Sequence, residues 1–169
     1  MKNWRHLLAL GLLALPASAL ADDPPVIEHQ PVPCTVAGKA ISLCAAVSDD
    51  VMVAKARVYF RRAGEDFYSF VDMTFDGVKY CGTVPAPREG KVKVVEYYLQ
   101  ATDNAFQTQR TSTFQMTVKP EEACEFPPLE KDPKRAAAIT VFATSNKQGN
   151  KLDSAFQGPG VTFVPLSGK

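Results

Sequence analysis

The sequence predicts an all-β fold, a β-sandwich or barrel of short strands followed by a β-rich tail. Between residues 24 and 118 the chain divides into seven runs in which apolar and polar residues alternate. Turn-forming residues separate these runs, and no helical pattern intervenes. The 13 prolines of the 169-residue chain agree with strands and loops. Short strands at this spacing are typical of a sandwich or a barrel.

Each run is assigned a strand, and alternation decides which side chains face the core. The predicted strands are residues 26–32, 40–47, 53–62, 67–75, 79–84, 94–102 and 110–118. The predicted inward residues are Ile41, Leu43, Ala45, Val47, Ala54, Ala56, Val58, Phe60, Val95, Tyr97, Leu99, Ala101, Phe114, Met116 and Val118. Predicted turns are Ala37-Gly38-Lys39, Asp76-Gly77 and Asp103-Asn104.

Residues 1–21 have the features of a cleaved signal peptide. Two basic residues precede the unbroken apolar run 7–15, and small residues stand at Ala19 and Ala21. We expect cleavage after Ala21, with a second candidate cut two residues earlier. The run is too short to span a bilayer, so we expect no integral membrane span. The protein is therefore expected in the periplasm or outside the cell.

The rest of the chain lacks the sequence features that are typical of several functional classes. The 19 Lys and Arg nearly balance the 18 Asp and Glu, so charge gives no argument for nucleic acid or an anionic membrane. Removal of the leader leaves His29 as the only histidine. No nucleophile–base pair and no phosphate-binding glycine loop can be named. We therefore expect no enzymatic activity and no cofactor.

Four cysteines, Cys34, Cys44, Cys81 and Cys124, follow the leader. An even number in an exported chain predicts two disulfides, and the absence of a Cys-x-x-Cys pair disfavours a metal site or a redox-active dithiol. Cys44 and Cys81 are outward residues of the second and fifth strands, which we expect to be neighbours. Cys34–Cys124 would then attach the tail. Spacing alone allows three pairings.

Four segments occur in an order that resembles bacterial immunoglobulin-like or fibronectin type III-like modules of exported proteins. They are Pro24-Pro25-Val26-Ile27, the alternating run from Ile41 to Asp49, Val58-Tyr59-Phe60-Arg61, and the run from Glu96 to Asp103. The resemblance covers residues 24–119 and implies an immunoglobulin-like seven-stranded β-sandwich over residues 22–119. It also implies that Tyr97 is a tyrosine-corner residue. The antibody pattern is absent, because the third strand has no Trp and no Cys follows two residues after Tyr97.

Residues 120–169 form a Pro-containing linker and a short β-rich tail. Residues 139–144 and 161–166 are candidate strands, and 145–153 is polar. Because two strands alone are marginal in water, the tail should dock on the sandwich, await a partner or stay mobile. We expect it to be less stable than the sandwich, with the first proteolytic cuts between residues 145 and 160.

Aspartate side chains in two predicted turns are candidate ligands for a cation. Asp49 and Asp50 lie in one loop, and Asp103 and Asn104 in another, at the same end of an immunoglobulin-like sandwich. Oxygen ligands from two loops can hold Ca²⁺. No dense run of alternating Asp ligands appears, and Asp and Asn are ordinary turn residues. The sequence therefore predicts no metal site.

The outer face of the third and sixth strands is the predicted binding surface. Tyr and Arg are enriched at binding hot spots, although the same residues also suit a solvated sheet face. The predicted binding residues are Lys55, Arg57, Tyr59, Tyr98 and Gln100, with Arg61 and Glu96 on the same face.

From these features we expect an exported, non-catalytic binding or assembly module of the bacterial envelope, with an envelope protein as partner. The alternative is a carbohydrate- or cell-wall-binding module that stacks sugars on Tyr59 and Tyr98. The lack of any Trp after the leader counts against that alternative. The sequence does not indicate the oligomeric state.

Overall fold

The computed structural model describes residues 22–124, 138–143 and 151–166. The predicted signal peptide and most of the predicted linker lie outside these residues. The described elements are β1 (Val26–Glu28), β2 (Cys34–Val36), β3 (Ile41–Ser48), β4 (Val53–Arg62), β5 (Ser69–Asp72), β6 (Thr74–Phe75), β7 (Tyr80–Val84), β8 (Val94–Asp103), β9 (Thr108–Arg110), β10 (Phe114–Lys119), a 3₁₀ turn (Glu121–Ala123), β11 (Ile139–Ala143) and β12 (Val161–Val164).

The strands form two sheets. The small sheet has the order β1-β3-β7-β6, and the large sheet has the order β12-β11-β5-β4-β8-β10-β2 with β9 added beside β8. The small sheet matches the first, second, fifth and fourth strands of an immunoglobulin domain, and β4-β8-β10 matches the opposite sheet. The predicted immunoglobulin-like β-sandwich is therefore confirmed.

The core lies between the sheets and follows the predicted alternation. Ile41 and Leu43 of the small sheet and Val58, Phe60 and Tyr97 of the large sheet are completely buried. Ala54 was predicted to face inward, but it is exposed. The register of β4 against β8 shifts between Val53 and Lys55, and this irregularity displaces Ala54 from the inward series.

Two predicted strands are each divided in two, and the first predicted strand is shorter than expected. Residues 26–32 contain β1, and Cys34–Val36 then forms the unpredicted β2, which crosses to the large sheet and pairs with β10 in parallel. Prolines at positions 31 and 33 lack the N–H groups that would continue one ladder. Residues 67–75 form β5 in the large sheet and β6 in the small sheet. Residues 110–118 give the end of β9 and most of β10.

The tail is part of the sandwich. β11 pairs antiparallel with β5, and β12 pairs parallel with β11, so both strands extend the large sheet. Leu152, Ala155 and Phe156 are buried in the main core. The Phe156 ring meets that of Phe60 edge to face, with centroids 5.0 Å apart. Of the three possibilities left open by the sequence, docking is the one found for the described residues.

Both proposed disulfides are present. Cys44 and Cys81 are directly paired residues of β3 and β7, with Cα atoms 4.1 Å apart. Cys34 is joined to Cys124 across a separation of 90 residues, and both side chains are buried beside Val36. Two disulfides are typical of proteins that fold in an oxidising compartment. Within the described residues, no helix is long and apolar enough to cross a membrane.

Candidate functional site

The predicted binding face is the outer surface of the large sheet around β4 and β8. These two strands are antiparallel, with Tyr59 opposite Tyr98 and Arg57 opposite Gln100. The side chains alternate with the buried Val58, Phe60, Tyr97 and Leu99, so their outward direction is as predicted. The structure therefore brings the five predicted binding residues onto one face, although their binding role stays a prediction.

A row of four packed aromatic rings crosses this face. Phe142 of β11, Phe70 of β5, Tyr59 of β4 and Tyr98 of β8 are successive neighbours across the ladders. Their centroids are 5.1, 5.2 and 4.7 Å apart in that order. Tyr59 and Tyr98 lie nearly parallel, with 7° between the ring planes. Aromatic pairs at these separations stabilise beyond the area they bury.

The row buries residues that the sequence analysis expected to be exposed. Tyr59 is 7% exposed and Tyr98 is 8% exposed. Tyr68 packs against the ring of Tyr98 at a centroid distance of 4.9 Å. The expectation of solvent-exposed Tyr59 and Tyr98 is therefore wrong, because neighbouring rings cover the two tyrosines from both sides.

Three arginines cover the aromatic row from the solvent side. The guanidinium carbons of Arg57, Arg61 and Arg110 lie 4.1, 4.3 and 4.2 Å from the ring centroids of Phe70, Tyr68 and Tyr98, respectively. Such cation–π contacts position each guanidinium group over its ring. The polar surface of this face is thus made of arginines, with Lys55 exposed at one end and Gln100 half-buried between them.

Ion pairs fix two of the arginines further. Arg57 Nε donates to Asp72 Oδ1 at 2.9 Å, and Arg61 Nε donates to Glu96 Oε2 at 2.7 Å. Arg110 is exposed and makes no ion pair within the described residues. Arg110 and the exposed Lys55 are thus the charges on this face that a partner's carboxylate could pair with at low desolvation cost.

Sequence reasoning missed Phe70, Phe142 and Arg110 as members of this face. Alternation placed Phe70 in one continuous strand over residues 67–75. The structure breaks this strand at Met73, and the pairing of its first part, β5, with β4 was therefore not predicted. Phe142 belongs to the tail, whose docking the sequence left open. Arg110 reaches the face through β9, which pairs with β8 opposite Gln100.

His29 and Tyr97 form a half-buried polar network next to β1. Burial lowers the pKa of His29, although a hydrogen bond to the Cys44 carbonyl acts in the opposite direction. The ring is therefore neutral, and because Nδ1 must donate to that carbonyl (2.8 Å), Nε2 accepts from the Tyr97 hydroxyl (2.9 Å). The same hydroxyl accepts from the Val32 N–H at 2.9 Å. Burial raises the pKa of Tyr97 to about 12.

The contacts of Tyr97 differ from those that the resemblance implies. A tyrosine corner bonds to backbone a few residues before the tyrosine. Tyr97 instead bonds to Val32, 65 positions upstream, and to His29. Tyr97 therefore joins the edge segment to the core and does not form a tyrosine corner.

A groove of about 360 Å³ lies where β5, β7 and β11 meet, lined in part by Ser42, Asp72 and Asp76. No histidine is among its lining residues, and the Cys81 sulfur that borders it is in a disulfide.

Comparisons with known proteins identify no family for this chain. No protein-family model and no curated protein matches the chain. One solved structure that it resembles is described as a chimeric titin Z1Z2 functionalised with an exogenous KLER peptide from decorin. The likeness has 19% sequence identity and a TM-score of 0.39, and covers 60% of this chain and all of the other. At this similarity we base no functional argument on it.

Proposed function

We propose that this protein is a non-catalytic binding or assembly module exported to the periplasm or the cell exterior of a bacterium. The leader-like residues 1–21 and the two disulfides support export. The absence of catalysis is supported by His29, because both of its ring nitrogens are engaged in a half-buried network.

The observation that carries the binding role is the arginine-covered aromatic face. Each of the three guanidinium groups is positioned over an aromatic ring, so a partner would lose little side-chain entropy when it contacts them. Arginine and tyrosine dominate protein-binding hot spots. We infer a protein partner that offers carboxylates to this face, with Arg110 as the principal contact and Lys55, Arg57 and Gln100 around it.

Carbohydrate binding on Tyr59 and Tyr98 has less support. Sugar stacking needs an open ring face, and these rings are stacked on each other at 4.7 Å and are less than one-tenth exposed.

Site-specific photo-crosslinking in living cells tests the proposal. A photoreactive residue is placed at Lys55 or Gln100 on the face, and at Lys91 as an exposed control on a turn outside it. We expect one envelope protein to be captured from both face positions and not from position 91. Capture of no protein, or equal capture from all three positions, would contradict the proposal.

A further inference from the structure

The two disulfides lie in different surroundings. Cys34 and Cys124 are 4% and 3% exposed and pack beside Val36. Cys44 and Cys81 are only half-buried, because they lie on the outer face of the small sheet, out of phase with the buried residues of β3 and β7. A thiol in solution can therefore approach Cys44–Cys81 in the folded protein, whereas Cys34–Cys124 is shielded.

A groove gives access to one of the two half-buried sulfurs. Cys81 is among the lining residues of the groove of about 360 Å³ where β5, β7 and β11 meet, whereas Cys44 is not. The short strand β6 pairs only with Tyr80 and Cys81 of β7. Gly82 and Thr83, which follow in β7, line the groove as well. The groove thus provides space for an attacking thiol beside Cys81.

A hydroxyl group lies beside the other sulfur. Ser42 Oγ is 3.9 Å from Cys44 Sγ. Since a disulfide sulfur carries no proton, the serine hydroxyl is the donor of this weak contact. The same hydroxyl would stabilise negative charge on Cys44 if the disulfide opened, because hydrogen bonding to a charged form favours that form.

A carboxylate lies on the Cys81 side. Asp76 Oδ2 is 3.9 Å from Cys81 Sγ. The backbone N–H groups of Lys79 and Val78 donate to Asp76 Oδ1 at 2.9 Å and lower the pKa of this carboxyl group. Asp76 is therefore charged at neutral pH, and its charge opposes the approach of a thiolate to Cys81.

We propose that Cys44–Cys81 is a thiol–disulfide exchange site, at which an external dithiol reduces the folded protein by attack on Cys81 Sγ. The thiolate of the dithiol forms a mixed disulfide with Cys81 and expels the Cys44 thiolate, which takes up a proton. The second thiol of the reductant then attacks the reductant's sulfur in the mixed disulfide and releases Cys81, which is protonated in turn. The protein gains two electrons and two protons, and the dithiol is oxidised to its own disulfide.

The protein is the substrate of this exchange and not its catalyst, and the inference does not depend on the proposed binding face. Strand pairing around the disulfide does not require the sulfur–sulfur bond. β3 and β7 are paired at five positions, from Ile41 with Val84 to Ala45 with Tyr80. Ile41, Leu43 and Val84 of these strands are completely buried. We therefore expect the reduced protein to stay folded.

Differential reduction tests the site on the exported protein with both disulfides formed. The protein is treated with dithiothreitol or with reduced thioredoxin, and the new thiols are alkylated and located by peptide mapping. We expect Cys44–Cys81 to be reduced at least about tenfold faster than Cys34–Cys124, with an unchanged circular dichroism spectrum. Equal rates, faster reduction of Cys34–Cys124, or reduction only together with unfolding would overturn the proposal.

The two reductants distinguish the source of the dithiol. Reduction by both supports a protein dithiol as the reductant, and reduction by dithiothreitol alone supports a small thiol. Reduction of Cys44–Cys81 by neither in the folded protein would overturn the site.

A monothiol identifies the attacked sulfur, because it cannot complete the second step. After brief reaction with glutathione and quenching in acid, we expect the mixed disulfide on Cys81 and the free thiol on Cys44. The opposite distribution would contradict attack from the groove.

Ser42→Ala removes the hydroxyl beside Cys44 and should slow the reduction by about threefold, because the departing thiolate loses a hydrogen-bond donor. Ser48→Ala is the matched control, since Ser48 is an exposed serine at the end of the same strand. Equal rates for the two variants would contradict the assignment of Cys44 as the departing sulfur.

Asp76→Asn removes the charge beside Cys81 and keeps an oxygen that accepts the two backbone N–H bonds. It should accelerate reduction by about threefold, and added salt should diminish the difference from the parent protein. Asp66→Asn, at an exposed position between β4 and β5, is the control. Equal rates for the two variants would contradict the assignment of Cys81 as the attacked sulfur.

Discussion

Tyr59 and Tyr98 point outward from the large sheet and are nevertheless buried. Alternation along a strand determines the face that a side chain occupies, and this part was predictable. What covers that side chain depends on neighbouring strands and their register, which alternation does not give. Phe70, Tyr68 and Arg110 arrive from other strands, so the cover on the two tyrosines could not be foreseen.

The first prediction follows from this burial. Tyr59→Ala and Tyr98→Ala should each lower the free energy of unfolding by about 3 kcal/mol, because each removes a buried ring that packs against two others. Chemical denaturation measures this loss. Lys55→Ala, on the same face but exposed, is the control and should change stability by less than about 0.5 kcal/mol. Tyrosine variants as stable as this control would show that the rings are not packed as described.

His29 makes stability depend on pH. Because burial lowers its folded-state pKa, the unfolded chain binds the proton more tightly. The stabilising contribution is fully present above the unfolded value of about 6.5, and it is lost as the pH falls from there towards the folded pKa. His29 contributes at most about 1.4 kcal/mol per pH unit to the change of the free energy of unfolding with pH. We expect melting curves between pH 7.5 and 5.5 to show it.

The control for this effect is His29→Gln, which cannot take up a proton in this range. It should be less stable than the parent at pH 7.5, and its stability should change less between pH 7.5 and 5.5. Parallel pH profiles for the two proteins would assign the dependence to carboxylates and not to His29.

At the scale of elements, the alternation of apolar and polar residues predicted the positions of most strands. It did not predict where the chain crosses from one sheet to the other. The predicted ranges for β3, β4, β7 and β8 agree closely with the structure. The fourth predicted strand divides because its two halves pair in different sheets. The seventh divides although β9 and β10 both pair with β8, and the first is shorter than predicted. The docking of β11 beside β5 was equally hidden, since it depends on long-range pairing.

The tail supplies the element-scale prediction. Phe156→Ala should cost about 3–5 kcal/mol of global stability, because the ring is 1% exposed and packs against Phe60 in the main core. Phe106→Ala, at an 87% exposed loop position, is the control and should have little effect. Both are measured by thermal and chemical unfolding.

The same packing revises the expectation for proteolysis. With Leu152 and Phe156 in the core, cuts between residues 151 and 160 should require global unfolding. A stable fragment that ends near residue 126, or a Phe156→Ala protein as stable as its parent, would contradict the described docking of the tail.

At the scale of the whole molecule, two disulfides close loops of different length. The chain-entropy model gives about 4.5 kcal/mol for the 90-residue separation of Cys34–Cys124 and about 4 kcal/mol for the 37-residue separation of Cys44–Cys81. We expect the Cys34→Ala/Cys124→Ala protein to unfold at lower denaturant concentration than the Cys44→Ala/Cys81→Ala protein. The reverse order would show that local packing at the cross-strand pair outweighs loop length.

The most direct test of the binding role is the affinity of Arg110→Ala for the partner captured by crosslinking. Arg110 is exposed, lies over the Tyr98 ring and has no ion pair within the described residues, so its loss should spare the fold. We predict a Kd about 10- to 30-fold weaker, corresponding to a hot-spot arginine of about 2 kcal/mol, with an unchanged Tm. The control Lys91→Ala should bind as the parent does. Equal affinities for Arg110→Ala, Lys91→Ala and the parent would contradict the assignment of this face as the binding surface.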